Sequence, residues 1–179
     1  HTPSKALNLA LDALSVLPKQ HEWELHVLGE GPCTVHWRRM ARRLGLGERC
    51  RFLGWLSRDK AMKVMAASHV MLITSLRDLT STVTIEALAL GLPIICLDHC
   101  GFSDVVDDTC GIKVPVTAPA GVVRGLAAGI ERLAGDELFR FGLAMGAVLR
   151  AQDFSWDKKV ALLDKIYRRR FAEVESAEA

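Results

Sequence analysis

One stretch constrains this chain more than any other: Ser75 to Asp104, SLRDLTSTVTIEALALGLPIICLDHCGFSD. An apolar run from His69 leads into it and ends at Thr74-Ser75. A polar segment follows, Arg77 to Ser81, and then a mostly apolar helical run, Thr82 to Leu90, which Gly91 stops. Pro93 opens a new run, and its Ile94-Ile95-Cys96-Leu97 predicts a buried strand. The unit is strand, loop, helix, strand. Between Leu79 and Leu97 the only charged side chain is Glu86. A helix that apolar packs against a sheet, and a lone carboxylate within it needs a partner. Thr80 or Ser81 can cap the helix, so that the free N–H groups of Ser81, Thr82 and Val83 face the loop that carries Asp78. A helix N-terminus beside two hydroxyls suits an anion. Asp78 on the loop and Glu86 about one and a half turns into the helix suit a ligand with phosphate at one end and hydroxyls to be held by acids.

The flanking sequence repeats this alternation. Lys5 to Leu17 places Leu7, Leu11, Leu14 and Leu17 on one helical face, and Pro18 ends it. Trp23 to Leu28 predicts a strand that runs into the turn Gly29-Glu30-Gly31-Pro32. A helix over Thr34–Leu44 ends at Gly45, a strand over Cys50–Leu53 stops at Gly54, and Ser57 caps a helix to about Ala67. Behind Leu97 come a loop to Asp104, a helical turn over Asp104–Asp108 and a strand over Ile112–Val116. Helices follow over Ala120–Leu133 and Glu137–Arg150, and a last one opens at Phe154-Ser155-Trp156 and runs to about Val174. The fold class is therefore α/β: a Rossmann-like parallel sheet with helices on both faces and right-handed connections. Ligands of such sheets bind at the carboxyl ends of the strands, near a switch point. The unusual loops lie there: Gly29 to Pro32, Gly54-Trp55, Ser75 to Ser81 and Asp98 to Asp104. A doubly wound unit normally opens with a strand, whereas this chain opens with a loop and a helix. A first strand is expected before His1.

Composition narrows the function classes. The 179 residues suffice for one domain with a sizeable core. A formal charge of +2 is too small to argue for nucleic acid or a strongly anionic membrane as partner, and the few aromatics argue against a stacking platform for single-stranded nucleic acid. The basic runs at Arg38 to Arg43 and Arg168-Arg169-Arg170 read first as solvated helix faces and second as a membrane-facing patch. The five cysteines, an odd number with no CxxC, read as free thiols in a reducing, cytoplasmic compartment. The histidines lack ligand spacing, so no metal is expected. There is no signal peptide or membrane-spanning run.

The residues Ser75, Asp78, Ser81, Glu86, Ala87, Ala89, Gly91, Pro93, Ile94 and Ile95 follow a spaced pattern, S-x-x-E-x-x-G-x-x-x-x-E-A-x-A-x-G-x-P-V-I. By it the chain resembles the nucleotide-sugar-binding half of the retaining glycosyltransferases of family 4 (group 1), which have the GT-B fold. Gly29-Glu30-Gly31-Pro32 resembles that family's G-x-G-P turn, Phe52-Leu53-Gly54 its F-x-G strand end, and Phe154-Ser155-Trp156 its closing F-S-W. Cys100 to Asp104 resembles its G-G-x-P-E loop with one glycine kept, and Lys5 resembles the lysine of its R-L-x-x-x-K-G segment. The departures are Asp78 for glutamate, Ser81 for glycine, Ala6 for glycine, Asp104 for glutamate, and no arginine partner for Lys5.

The resemblance implies roles. Lys5 neutralises charge on the leaving nucleoside diphosphate, and Asp78 holds hydroxyls of the donor sugar; these are the catalytic candidates. Glu86 accepts from the ribose hydroxyls, the N–H groups of Ser81, Thr82 and Val83 bind the diphosphate, Arg51 and Phe52 cradle the base, and Gly29 belongs to the turn beside them. Each has a plainer alternative. Glu86 is satisfied by backbone, Asp78 is a loop or cap residue, Lys5 is a surface lysine, Arg51 is structural, and Gly29 only makes a tight turn. The implied partner is a nucleotide sugar, with no cofactor and no metal. The acceptor, a glycan or a lipid-linked molecule, and the family's catalytic histidine belong to the other half of such an enzyme, so this chain alone is not expected to turn over. Residues 1–152 form the binding domain. Residues 153–179 form a helix that packs back toward the other half, with peripheral contact at the inner membrane face. Two rivals stand beside this reading: a nucleotide-sugar epimerase of the same fold, and a non-catalytic binding or scaffolding module.

Overall fold

The computed structural model describes residues 1–78 and 82–177. Among them are five strands: β1 Leu25–Leu28, β2 Cys50–Gly54, β3 Met71–Ile73, β4 Ile94–Asp98 and β5 Gly111–Pro115. They alternate with α1 Leu7–Ser15, α2 Thr34–Arg43, α3 Arg58–Ala66, α4 Thr82–Ala89 and α5 Phe102–Val105. After β5 come α6 Pro119–Gly135, α7 Glu137–Ala151 and α8 Trp156–Ala177. Every strand pairing is parallel, and β4 lies between β3 and β5.

β4 shows how the layers are built. Ile94, Ile95, Cys96 and Leu97 are all 0 % exposed, the near-continuous apolar run that a parallel strand covered on both faces requires. Ile94 and Cys96 point into a core with Met65 of α3, Ala87 and Leu88 of α4, Phe102 of α5 and Ala147 of α7. Ile95 and Leu97 point into the opposite core, with Leu9 and Ala13 of α1 and Val122, Leu126 and Leu133 of α6. A third core joins Leu11 and Leu14 of α1 to Trp37 and Ala41 of α2 and Cys50 of β2.

The structure departs from the sequence expectations in four places. The expected single sheet is two half-sheets, β1–β2 and β3–β4–β5. The expected helix from Lys5 is broken: a 3-10 turn covers Pro3–Lys5, Ala6 takes a left-handed conformation (φ 46°), and only then does α1 begin. Ser57 does take the cap position of α3 with extended backbone, but its hydroxyl makes no capping bond; its carbonyl accepts from the Ala61 N–H at 2.9 Å. The short helix placed at Asp104–Asp108 lies earlier, because the buried Phe102 pins the first residue of α5 into the core.

Candidate functional site

The carboxyl ends of β1, β2, β3 and β4 carry the loops singled out from sequence. At the end of β1, Gly29 takes φ 93° and its N–H donates to the Gly54 carbonyl at the end of β2 (2.7 Å), which ties the two strand ends together. Gly31 admits the His1 main chain, which a Cβ at that position would strike. At the end of β3 the buried Thr74 donates its hydroxyl to the Lys5 carbonyl (2.8 Å), and the Leu76 N–H donates to the Ser4 carbonyl (2.8 Å). These two bonds fix where Lys5 stands.

Lys5 and Asp78 meet across the mouth. The Lys5 ammonium donates to Asp78 Oδ2 at 2.6 Å, with side chains 49 % and 23 % exposed. Glu86 of α4 is held by Arg58, the first residue of α3. Its Oε1 accepts from Arg58 Nη2 at 2.8 Å and from Nε at 3.1 Å. The Glu86 side chain is 27 % exposed and that of Arg58 74 %. Among the described residues the carboxylate has a cationic partner and no backbone one. Ser103, in α5, donates to Asp98 Oδ1 at 2.5 Å, and Lys113 of β5 stands 3.8 Å from the same oxygen. Lys5–Asp78, Arg58–Glu86 and Lys113–Asp98 are thus three separate carboxylate–cation pairs. Such exposed pairs each contribute about 0–1 kcal/mol, so either partner can be displaced at small cost.

A family model described as "Glycosyl transferases group 1" matches residues 1–138. The chain belongs to the glycosyl transferase group 1 family. Over 130 residues it is 32 % identical to a D-inositol 3-phosphate glycosyltransferase of Streptomyces bingchenggensis, a match that covers 72 % of this chain and 28 % of that protein. The solved sucrose-phosphate synthase of Thermosynechococcus elongatus superposes with a TM-score of 0.78 at 24 % identity, covering 96 % of this chain and 44 % of the other. Anabaena HepE, solved in complex with UDP-glucose, gives a TM-score of 0.76 at 22 % identity, covering 96 % and 46 %. The fold is that of one half of a GT-B glycosyltransferase, and the chain spans under half of each of these proteins.

Within this group 1 frame the expected residues separate. Lys5, Asp78 and Gly29 stand at the carboxyl ends, Thr82 begins α4, Glu86 is its fifth residue, and Val83 is partly buried against the core beneath it. Ser81 lies outside the described residues, as does the capping role given to Thr80 or Ser81. Arg51 is not brought to the others. It is the second residue of β2, roughly 10 Å of strand from the carboxyl end at ~3.3 Å per residue, and its Nη2 pairs with Glu24 at 2.5 Å. Phe52 packs against the third core, with the Arg38 guanidinium over its ring at 5.3 Å. Arg58 was not among the expected residues. The signal for it was its place as the first residue of α3, four residues behind Gly54. No helix among the described residues is long and apolar enough to cross a membrane.

Proposed function

We propose that this chain is the donor-binding half of a retaining glycosyltransferase and holds a nucleoside-diphosphate sugar across the mouth between Lys5 and Glu86. The Lys5–Asp78 contact at 2.6 Å carries the reading: a lysine and an aspartate 73 positions apart in sequence are held together where a parallel sheet binds ligands. On binding, Lys5 turns to the diphosphate and Asp78 accepts from sugar hydroxyls. Glu86 accepts from the ribose through Oε2, since Arg58 holds Oε1. The N-terminal end of α4 faces the phosphates, where free N–H groups favour an anion. Nothing in this set needs to attack the sugar. Lys5 stabilises charge as it develops on the leaving diphosphate, and the acids fix the donor's orientation. Similarity to HepE, solved with UDP-glucose, favours a uridine diphosphate donor.

The acceptor, a glycan or a lipid-linked molecule in polysaccharide assembly, meets the donor on a second half of the protein. The exposed stripe of α8, Trp156, Val160, Leu163, Tyr167 and Phe171, supplies the face toward that half, so residues 1–152 bind and residues 153–179 connect. A cytoplasmic site at the inner membrane face suits such an acceptor.

Calorimetric titration with UDP, GDP and ADP, in wild type and in Glu86→Ala, tests the reading. One diphosphate should saturate, and Glu86→Ala should weaken it about tenfold or more, as expected for a lost hydrogen bond to a charged acceptor. No saturable binding, or equal binding by the variant, overturns it.

A further inference from the structure

The outer face of α7 is apolar where a surface helix should be polar. Its inner face packs into the molecule through Leu143 and Ala147, both buried. Its outer face carries Leu138, Phe141, Met145, Val148 and Leu149, whose exposure runs from 41 % at Val148 to 84 % at Leu138. Spaced mostly three or four apart, they form a second stripe, roughly 17 Å long at ~1.5 Å per residue. The charged residues of the helix are Glu137, Arg140 and Arg150. Of these only Arg140 lies between Leu138 and Leu149 in sequence, and it turns away to the Leu133 carbonyl at 2.7 Å. A helix that is apolar all round belongs under cover, and an exposed apolar patch marks an interaction site. The stripe is open although α8 follows directly in the chain.

Two glycines of α7 differ in what they admit. A Cβ at Gly146 would strike the Thr109 carbonyl, so the chain's own packing demands that glycine. A Cβ at Gly142 would meet nothing within 4 Å. A glycine inside a helix weakens it, and nothing in the chain's own contacts calls for one at this position. Gly142 instead leaves a notch in the middle of the stripe, beside Phe141 and Met145, where another helix can approach closely.

The stripe is also its own complement. Reversed about a point between Leu143 and Ala144, Leu138 falls level with Leu149, and Gly142 falls level with Met145. A contact between two copies related by a two-fold axis requires such a self-matching patch. The ends match in charge. Asp136 and Glu137 make the start of α7 acidic, and the Glu137 side chain is 87 % exposed, 3.9 Å from Arg140. Past the other end Lys159 lies over the Phe154 ring at 5.1 Å and has no carboxylate partner among the described residues. Antiparallel pairing sets each acidic end beside the other copy's basic one and opposes the two helix dipoles. The face suits protein better than lipid. A helix lying on a membrane carries Lys and Arg beside its apolar stripe, whereas Arg140 and Arg150 both turn to carbonyls of their own chain, Leu133 and Val105.

We propose that α7 is a dimerisation face, seated antiparallel on α7 of a second copy of this chain, with Met145 of each copy in the notch at Gly142 of the other. Val148 stands beside Gly91, just past the C-terminal end of α4, so the contact leaves the N-terminal end of that helix free. This inference does not rest on the nucleotide-sugar reading. One helix pair falls short of the ~800 Å² per partner of a standard interface, so the dimer is expected at micromolar concentrations and above.

Sedimentation equilibrium of the 179-residue chain, from below to well above that range, should give a single monomer–dimer equilibrium. Met145→Glu and Met145→Lys should each weaken it on the order of thirtyfold or more, as loss of a central interface residue does. An equal mixture of the two variants should dimerise again, because opposite charges then meet beside the axis. Gly142→Leu fills the notch and should weaken the dimer while leaving thermal unfolding of the monomer unchanged or raised. Leu163→Glu, on α8, should leave the dimer intact. A wild-type chain that stays monomeric throughout overturns the proposal, as does a dimer that survives Met145→Glu. So does a dimer lost with Leu163→Glu, which gives the contact to α8. Monomer that floats with vesicles of phosphatidylcholine and phosphatidylglycerol, and no longer does so in Met145→Glu, gives the stripe to a lipid surface and overturns it too.

Discussion

The two half-sheets are made of the same kind of strand and differ in how much each buries. In β4 four consecutive residues are wholly covered, and β3 and β5 flank it. In the other half only Val27 of β1 and Cys50 of β2 are buried, while Leu25, Leu28, Phe52 and Leu53 remain partly open. Stability should therefore concentrate around β4, and the β1–β2 half should open more readily. The mouth sits where the two meet: Asp78 and Glu86 come from the β3–β4 side, Gly29 and Arg58 from the β1–β2 side. A ligand gripping both would tie the weaker half to the stronger.

The largest expected effect breaks the stronger half. Leu97→Ala should cost about 2–5 kcal/mol, a fully buried leucine lost with little room for collapse, whereas the half-open Leu25→Ala should cost less than ~2 kcal/mol. Urea unfolding followed by circular dichroism gives both. Equal costs would show that the half-sheets are equally packed in solution.

Next comes Gly31→Ala. A methyl there meets the His1 backbone, and relief of such crowding typically costs about 1–3 kcal/mol. The loss should appear as faster exchange in residues 1–5 and β1, with β4 unchanged. Uniform acceleration would mean that the N-terminal segment supports the whole molecule.

The cysteines probe the same contrast without disturbing it. Burial pushes the Cys96 thiol up to about 12 and the Cys50 thiol up to about 11. At about pH 8 neither is a thiolate, and the thiolate is the nucleophile. Cys33 and Cys100, partly exposed, should react with an aromatic disulfide reagent first. Cys50 of β2 should follow by opening of its half-sheet, and Cys96 of β4 only on global unfolding. Cys96 reacting as fast as Cys50 would erase the distinction between the halves.

The layer architecture was legible in the sequence because apolar runs and their stops are local. Ile94 to Leu97 could be nothing but a covered strand, and Gly91, at φ 71°, ends α4 where the sequence said it should. The division of the sheet was not legible, since pairing joins residues far apart and no residue type marks which edge meets which. Ala6 is instructive. Its left-handed backbone costs a non-glycine residue about 1–2 kcal/mol, and an alanine gives no warning of it; only the glycine of the resembled family's segment at that position did. Motif spacing singled out Lys5, Asp78 and Glu86 as candidates, and the structure places Lys5 against Asp78. Arg58 was not singled out, because its contact with Glu86 spans two helices that only the tertiary fold brings side by side.

The smallest expected change in stability belongs to that contact. Arg58→Ala removes a cation that is mostly exposed, and unfolding should shift by no more than about 0.2–1 kcal/mol. Its effect on UDP affinity should be larger than its effect on folding. The guanidinium occupies Oε1 with two bonds and so fixes the plane of the carboxylate, leaving Oε2 for the proposed donor. Without it the carboxylate turns freely, and binding should weaken severalfold, on the order of 0.5–1.5 kcal/mol. The same titration in Glu86→Ala and in the double variant separates positioning from direct contact. If Arg58 acts through Glu86, its removal does nothing further once Glu86 is gone. An additive loss would place the guanidinium on the phosphates themselves, and tighter binding by Arg58→Ala would mean that the arginine competes with the ligand for the carboxylate.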